Sequence, residues 1–266
     1  KDFMLDDLNQ LNQFGVEIAW RRLQGIFKSD FLANTPDFSG LKVIFYGKQP
    51  SLGLKIGLEW ASDRDFHWEQ SSESKIIIDD ETYPLPEVSE LSDWRDLLLV
   101  MKIAGVDLYD TLQNLKTIVN QLAPSIPTVD NQAKQLALYL AGKISLVFSP
   151  EQTRGVGEFW RQCLESQAHN LCFNQAITDL NFAGWSSHPV EKPFGVLDLI
   201  PTELDRATDI AFAHKNRQLS GKMPASRQLR LHTNNPTNQL LEIMLLAEAT
   251  SFYLACLNKQ SLKTLN

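Results

Sequence analysis

Between residues 4 and 28, Leu5, Leu8, Leu11, Phe14, Ile18, Leu23, Ile26 and Phe27 recur at roughly helical spacing, which predicts one N-terminal helix. Asn34, Pro36 and Asp37 close that region. Leu41 to Gly47 is a short apolar run ending in glycine and suits a buried strand. After a turn at 48–51, Leu52 to Ala61 returns to helical spacing, so strand, turn and helix form the first half of a βαβ unit. Phe66–Glu69 and Lys75–Ile78 read as strands, and the Pro84 and Pro86 region as a break. A helix follows from about Trp94 to Ala104, with Ser92 or Asp93 as its cap and Gly105 at its close. A further helix covers about Leu108–Leu122.

Two prolines at 124 and 127 stop any helix there, and the sequence places a linker at 123–130 between domains at 1–122 and 131–266. The pattern then restarts: a helix over about Asn131–Gly142, a strand at Ile144–Phe148, a loop to Arg154 and a helix from about Val156. The stretch from Trp160 to Trp185 is a crossing between elements. Beyond it come a strand at Phe194–Ile200, a helix from Glu203 to about Arg217 with Thr202 as cap, and a strand at Gln228–His232. The last helix is expected from Pro236 to about Leu257, with Asn235 as its cap and Pro236 at its first position. Alternating strands and helices predict an α/β protein whose parallel sheets carry helices on both faces.

Composition narrows the function classes. The chain has 266 residues, enough for a sizeable core in one large or two modest domains. The formal charge of −7 comes without a long basic run, which argues against nucleic acid as a partner. No apolar run reads as long enough to cross a bilayer and no secretory leader stands out, so no membrane partner and a cytoplasmic location are expected. Lys1 is not a methionine, so further N-terminal residues are expected. Cys163, Cys172 and Cys256 read as reduced, partly buried thiols.

The candidate chemistry is sparse. Gly155-Val156-Gly157 lacks the third glycine of a dinucleotide fingerprint, because Trp160 stands at that place. Cys163, His169 and Cys172 fit no common zinc spacing, so no metal and no cofactor are expected. Gly47 and Ser51 flank a turn where free backbone N–H groups and a hydroxyl could hold a phosphate or sugar oxygen, although Pro50 removes one donor. Ser71, Ser72 and Ser74 form a hydroxyl cluster that reads as a solvated loop.

From about residue 92 onward the chain resembles the bifunctional phosphoglucose/phosphomannose isomerase family of sugar isomerase (SIS) domain proteins. The resemblance rests on Ser92-Asp93-Trp94-Arg95, Asn131-Gln132-Ala133-Lys134, Trp160-Arg161-Gln162, Glu165 to His169, Thr178 to Ala183, and Ala249 to Ala255. It implies two SIS-type (flavodoxin-like) subdomains, each a parallel sheet flanked by helices, with the first shortened. It implies a homodimer binding a phosphorylated sugar between the domains, and interconversion of glucose, mannose and fructose 6-phosphate types by a carboxylate base, with a histidine or lysine handling ring opening. The family's base falls on Ser166 and its histidine on Phe182, and neither side chain can do the original job. Glu165 is one position away, about 100° around a helix. Substrate-binding candidates are Gly47, Ser51, Arg95, Ser166 and Lys263, the last standing for the family's C-terminal lysine. Two readings follow: an isomerase-like enzyme, or a catalytically degenerate phosphosugar-binding or regulatory SIS protein.

Overall fold

The computed structural model describes residues 5–26, 42–47, 49–62, 64–73, 75–78, 81–84, 92–179, 193–200, 204–229 and 231–262. The chain forms two compact units, one of Leu23–Gln113 and one of Lys1–Arg22 with Asn114–Leu265. Residues 1–22 and 114–130, read from sequence as first domain and linker, thus group with the C-terminal half. Local contacts explain this. Lys134, buried, donates to Asp6 Oδ1 and to Pro124 O at 3.0 Å each. Trp20 stacks on Tyr253, with ring centroids 6.5 Å or closer to both Phe252 and Tyr253.

The expected single N-terminal helix is two: α1 (Leu8–Gln13), capped by Asp7, and α2 (Val16–Ile26). Gly15 separates them at φ 83, a left-handed conformation that suits glycine and breaks the helix.

In the first unit the order is β1 (Val43–Gly47), α3 (Leu52–Trp60), β2 (Phe66–Gln70), β3 (Lys75–Ile78), β4 (Glu81–Pro84), α4 (Ser92–Ile103) and the start of α5 (Leu108–Gln121). The sheet runs β2-β1-β3-β4. β1 and β2 are parallel, as a βαβ unit requires, but β3 is antiparallel to β1 and β4 to β3. The expectation of a parallel sheet therefore holds for only one pair here. Only residues 71–74 join β2 to β3, far short of the dozen or more that a parallel crossover needs. β4 takes in Tyr83 and Pro84 from the segment read as a break, and Pro86 lies outside the described residues. Pro84 sits at its end, on an edge strand, where its missing N–H costs little. β1 and β3 alternate buried and half-buried residues, so one face carries the core: Val43, Phe45, Ile76 and Ile78 against Leu54 of α3 and Val100 of α4.

The second unit has β5 (Ile144–Ser149), β6 (Cys172–Ala176), β7 (Phe194–Asp198) and β8 (Arg227–Gln228) in the order β6-β5-β7-β8, all parallel. β5 and β7 are buried on both faces, which is why their sequences read as continuous apolar runs. The helices are α6 (Gln132–Leu140), α7 (Arg154–Ser166), α8 (Arg206–Leu219) and α9 (Pro236–Leu257). Val156, Phe159, Trp160, Cys163 and Leu164 form the buried stripe of α7 at helical spacing. Gly157 is needed there: a Cβ would come within 2.2 Å of Asn174 Oδ1 and 2.9 Å of Ser149 Oγ. α8 begins at Arg206, not Glu203. Its cap is Asp205, whose Oδ1 accepts from Thr208 N at 2.9 Å; Thr202 lies outside the described residues. β8 is Arg227–Gln228, so of the strand expected over Gln228–His232 it takes up only Gln228.

α9 matches its sequence reading, with Asn235 Oδ1 accepting from Asn238 N and Pro236 in the first turn. It also corrects one. At 22 residues it is long and apolar enough to cross a membrane, yet it is almost wholly buried inside the protein. It is apolar all round because it is enclosed, packing on α6 and α7. Each of its fully buried leucines contributes about 1.5–3 kcal/mol relative to exposure. Trp160 Nε1 donates to Ile243 O at 3.0 Å, pinning α7 to it.

Candidate functional site

At the turn after β1, Gly47 is buried and its carbonyl accepts from Ser71 N at 2.8 Å. Ser71 Oγ in turn accepts from Glu73 N, so the serine loop is stitched by its own backbone. Ser51 is the cap of α3: its Oγ accepts from Leu54 N at 3.0 Å and donates to Asp96 Oδ2 at 2.6 Å. Arg95 grips the other oxygen of the same carboxylate, with Nε at 2.8 Å and Nη2 at 2.6 Å from Asp96 Oδ1. Ser51 and Arg95 are therefore brought together, and the residue that joins them is Asp96, which spacing did not single out.

Asp93 does not cap its own helix as expected. It reaches across to α3, and its Oδ1 accepts from Gly53 N at 3.0 Å. This is possible because Gly53 has no side chain: a Cβ there would lie 1.7 Å from Asp93 O. The exposed N–H groups at the start of α3, the feature that suits a phosphate, are thus met by Ser51 Oγ and the Asp93 carboxylate. Burial pushes the Asp93 carboxyl up from its ordinary value; the Gly53 N–H opposes this, and the neighbouring Asp96 charge adds to it.

In the second unit, Ser166 is the last residue of α7. It is exposed, and its Oγ donates to Gln162 O at 2.6 Å, closing on its own helix. Glu165, its neighbour, is paired with Arg161. Arg161 also holds Glu158, with Nε 2.9 Å from Glu158 Oε2. The next residues are structural: Gln167 Nε2 donates to Glu248 Oε2 at 2.9 Å, and Asn258 Nδ2 to Ala168 O at 2.8 Å. Cys163 and Cys172 are buried, whereas His169 is exposed in a left-handed turn at φ 50. Phe182, Lys263 and the expected phrase at 180–183 lie outside the described residues. Gly47, Ser51 and Arg95 sit in one unit and Ser166 in the other.

Comparison with known proteins bears on the whole chain. The family described as bacterial phospho-glucose isomerase C-terminal SIS domain matches residues 129–261, half of the chain. No curated protein sequence matches. Among solved structures, the chain is similar to a glucose-6-phosphate isomerase-like protein from Thermus thermophilus. That match has 18% identity and a TM-score of 0.56 over 86% of this chain and 77% of the other. It is also similar to the C-terminal domain of glucosamine-fructose-6-phosphate aminotransferase from Francisella tularensis. Here identity is 9% and the TM-score 0.54, over 95% of this chain and 96% of the other. At such identities the two structures speak for the fold. The matched profile covers β5 to β8 and α6 to α9, the elements whose order and parallel pairing are described above, and the chain belongs to the bacterial phospho-glucose isomerase C-terminal SIS domain family.

Proposed function

We propose that this protein binds a phosphorylated sugar of the glucose, mannose or fructose 6-phosphate type without isomerising it by the family's carboxylate mechanism. Family membership supports the ligand class. The state of the α7 terminus carries the second half: the hydroxyl of Ser166 is spent on Gln162 O, and the adjacent carboxylate of Glu165 is held by Arg161. Moving a proton between two sugar carbons needs a base within hydrogen-bond reach of the C–H, and a serine bonded to its own helix offers none. The homodimer expected from the resemblance and the cytoplasmic location expected from composition belong to the same proposal.

The direct test is fructose 6-phosphate. Thermal unfolding is followed with and without the sugar, and the mixture is assayed for glucose or mannose 6-phosphate. The expected result is a rise in unfolding temperature, since a ligand bound only by the folded state stabilises it, with no product at high protein concentration. Product formation that follows the protein concentration overturns the non-catalytic half. Absence of both stabilisation and turnover overturns the ligand class.

A further inference from the structure

A polar cleft of about 370 Å³ lies wholly within the second unit, beside the carboxyl end of edge strand β8 and the start of α6. Its walls include Asp130, Gln132, Arg227, Gln228 and His232. The volume falls in the range of small-molecule sites, and ligands of open α/β sheets bind beyond the carboxyl ends of their strands.

Two side chains in this cleft are held in place. Arg227 rests over the Tyr139 ring, with the guanidinium carbon 5.0 Å from the centroid, and its Nη1 donates to Gln135 O at 3.3 Å. That leaves most of a planar fork of donors, the geometry that suits an oxyanion. His232 is 47% exposed, but behind it stands Glu242 on α9, whose side chain is fully buried. The two oxygens of Glu242 accept from His232 N at 2.9 and 3.0 Å, and Oε1 lies 2.5 Å from His232 Nδ1. Both Glu242 oxygens already act as acceptors of the His232 N–H, so Nδ1 is the donor toward Oε1 and Nε2 is the ring nitrogen left to face a ligand. A buried carboxylate that fixes the tautomer and orientation of an exposed imidazole is the arrangement by which proteins aim a histidine. No element of the sequence pattern marks it, because the partners are ten residues apart on a loop and a helix.

We propose that this cleft, instead of the place between the domains that the resemblance implies, is where the phosphorylated sugar binds. Arg227 takes the phosphate, His232 Nε2 meets a phosphate oxygen or an adjacent hydroxyl, and Asp130, Gln132 and Gln228 meet the remaining hydroxyls. Glu242 acts as the positioning residue for His232. The proposal rests on the phosphosugar reading above, and the experiment separates the two.

Fructose 6-phosphate is titrated calorimetrically into the full chain and into Arg227→Met and His232→Gln, both at exposed positions, with folding checked by thermal unfolding. Loss of a charge-assisted hydrogen-bond pair predicts binding weakened about tenfold or more in each variant. In ¹⁵N spectra of the wild-type imidazole, His232 shows the Nδ1-protonated signature and its Nε2 signal moves on ligand addition, a response that a merely structural histidine would not give. Wild-type binding that both variants retain at full strength overturns the cleft and leaves the phosphosugar reading standing. No binding by the wild type overturns both.

Discussion

Lys215 donates its ammonium to Asp198 Oδ1 with both side chains fully withdrawn from solvent. Asp198 ends β7, and its second oxygen accepts from Ser226 Oγ at 2.7 Å, just before β8. The Phe148 ring lies 4.7 Å from the Lys215 nitrogen. Burial lowers the Lys215 amine from its ordinary value, and Asp198 pulls the other way. Removing one charge leaves the other buried and alone. Asp198→Ala is therefore expected to cost about 3–5 kcal/mol of unfolding free energy, while replacing both residues with apolar ones of similar size costs much less. Urea denaturation of the single and double variants reads this directly. Equal losses in both would mean that the two charges are not coupled.

The Asp93 carboxyl yields a prediction in pH. Its folded-state value is raised by burial and by Asp96, against the pull of the Gly53 N–H. A carboxyl raised on folding stabilises the protein below its unfolded value, and this contribution is lost as pH rises through the folded value. At neutral pH the charge on Asp93 is thus a liability, even though its oxygen is needed. Asp93→Asn keeps an acceptor for Gly53 N and removes the charge. The variant is expected to be at least as stable as the wild type at pH 7 and to lose that part of the stability change between mildly acidic and neutral pH. A variant less stable at pH 7 would show that the charge itself helps to hold α3.

Gly53 and Gly57 lie one helical turn apart on α3 and face α4. A Cβ at Gly53 meets backbone, 1.7 Å from Asp93 O and 2.3 Å from its carbonyl carbon, whereas one at Gly57 meets the Val100 side chain at 2.9 Å. Backbone cannot rotate away. Gly53→Ala is expected to cost at or above the top of the roughly 1–3 kcal/mol typical of overpacking, and Gly57→Ala less. Hydrogen exchange of the β1 amides, which share the core that α3 and α4 cover, checks both. Indistinguishable exchange in the two variants would refute the ranking.

Much of the second unit was legible because its local signals agree with its tertiary role. β5 and β7 are apolar on both faces, and α9 announces itself through Asn235 and Pro236. The first unit was less so. A four-residue connection after β2 dictates an antiparallel return, but the strand runs alone do not say which strands neighbour each other. Asp93 carries a sound capping signal for its own helix and is diverted by a neighbour 40 residues away. At the candidate sites the gap is wider. Ser51 and Arg95 were visible as candidates, but Asp96, which joins them, and the Glu242 behind His232 become meaningful only when distant elements meet.

The cysteines provide a test of how the second unit holds together. Cys163 on α7, Cys172 on β6 and Cys256 on α9 are all buried. Burial, reinforced by Glu165, pushes the Cys172 thiol far up, and burial pushes Cys256 up to about 12. Thiolate is the reactive species, so near pH 8 the folded protein offers neither access nor nucleophile at these two positions. No thiol is expected to react with an aromatic disulfide reagent in the native state, and all three are expected to become reactive within one urea transition. The three positions differ in what guards them. β6 is an edge strand, and Leu171 just before it and Phe173 within it flank Cys172 with half of their surface in solvent, whereas Cys256 lies in an enclosed helix. If the unit opens locally before it unfolds, Cys172 is the thiol that reacts early, in native buffer, at a rate set by opening of that edge. Early reaction of Cys256 instead would show that α9 leaves its place first, which contradicts its role as the enclosed centre of the unit.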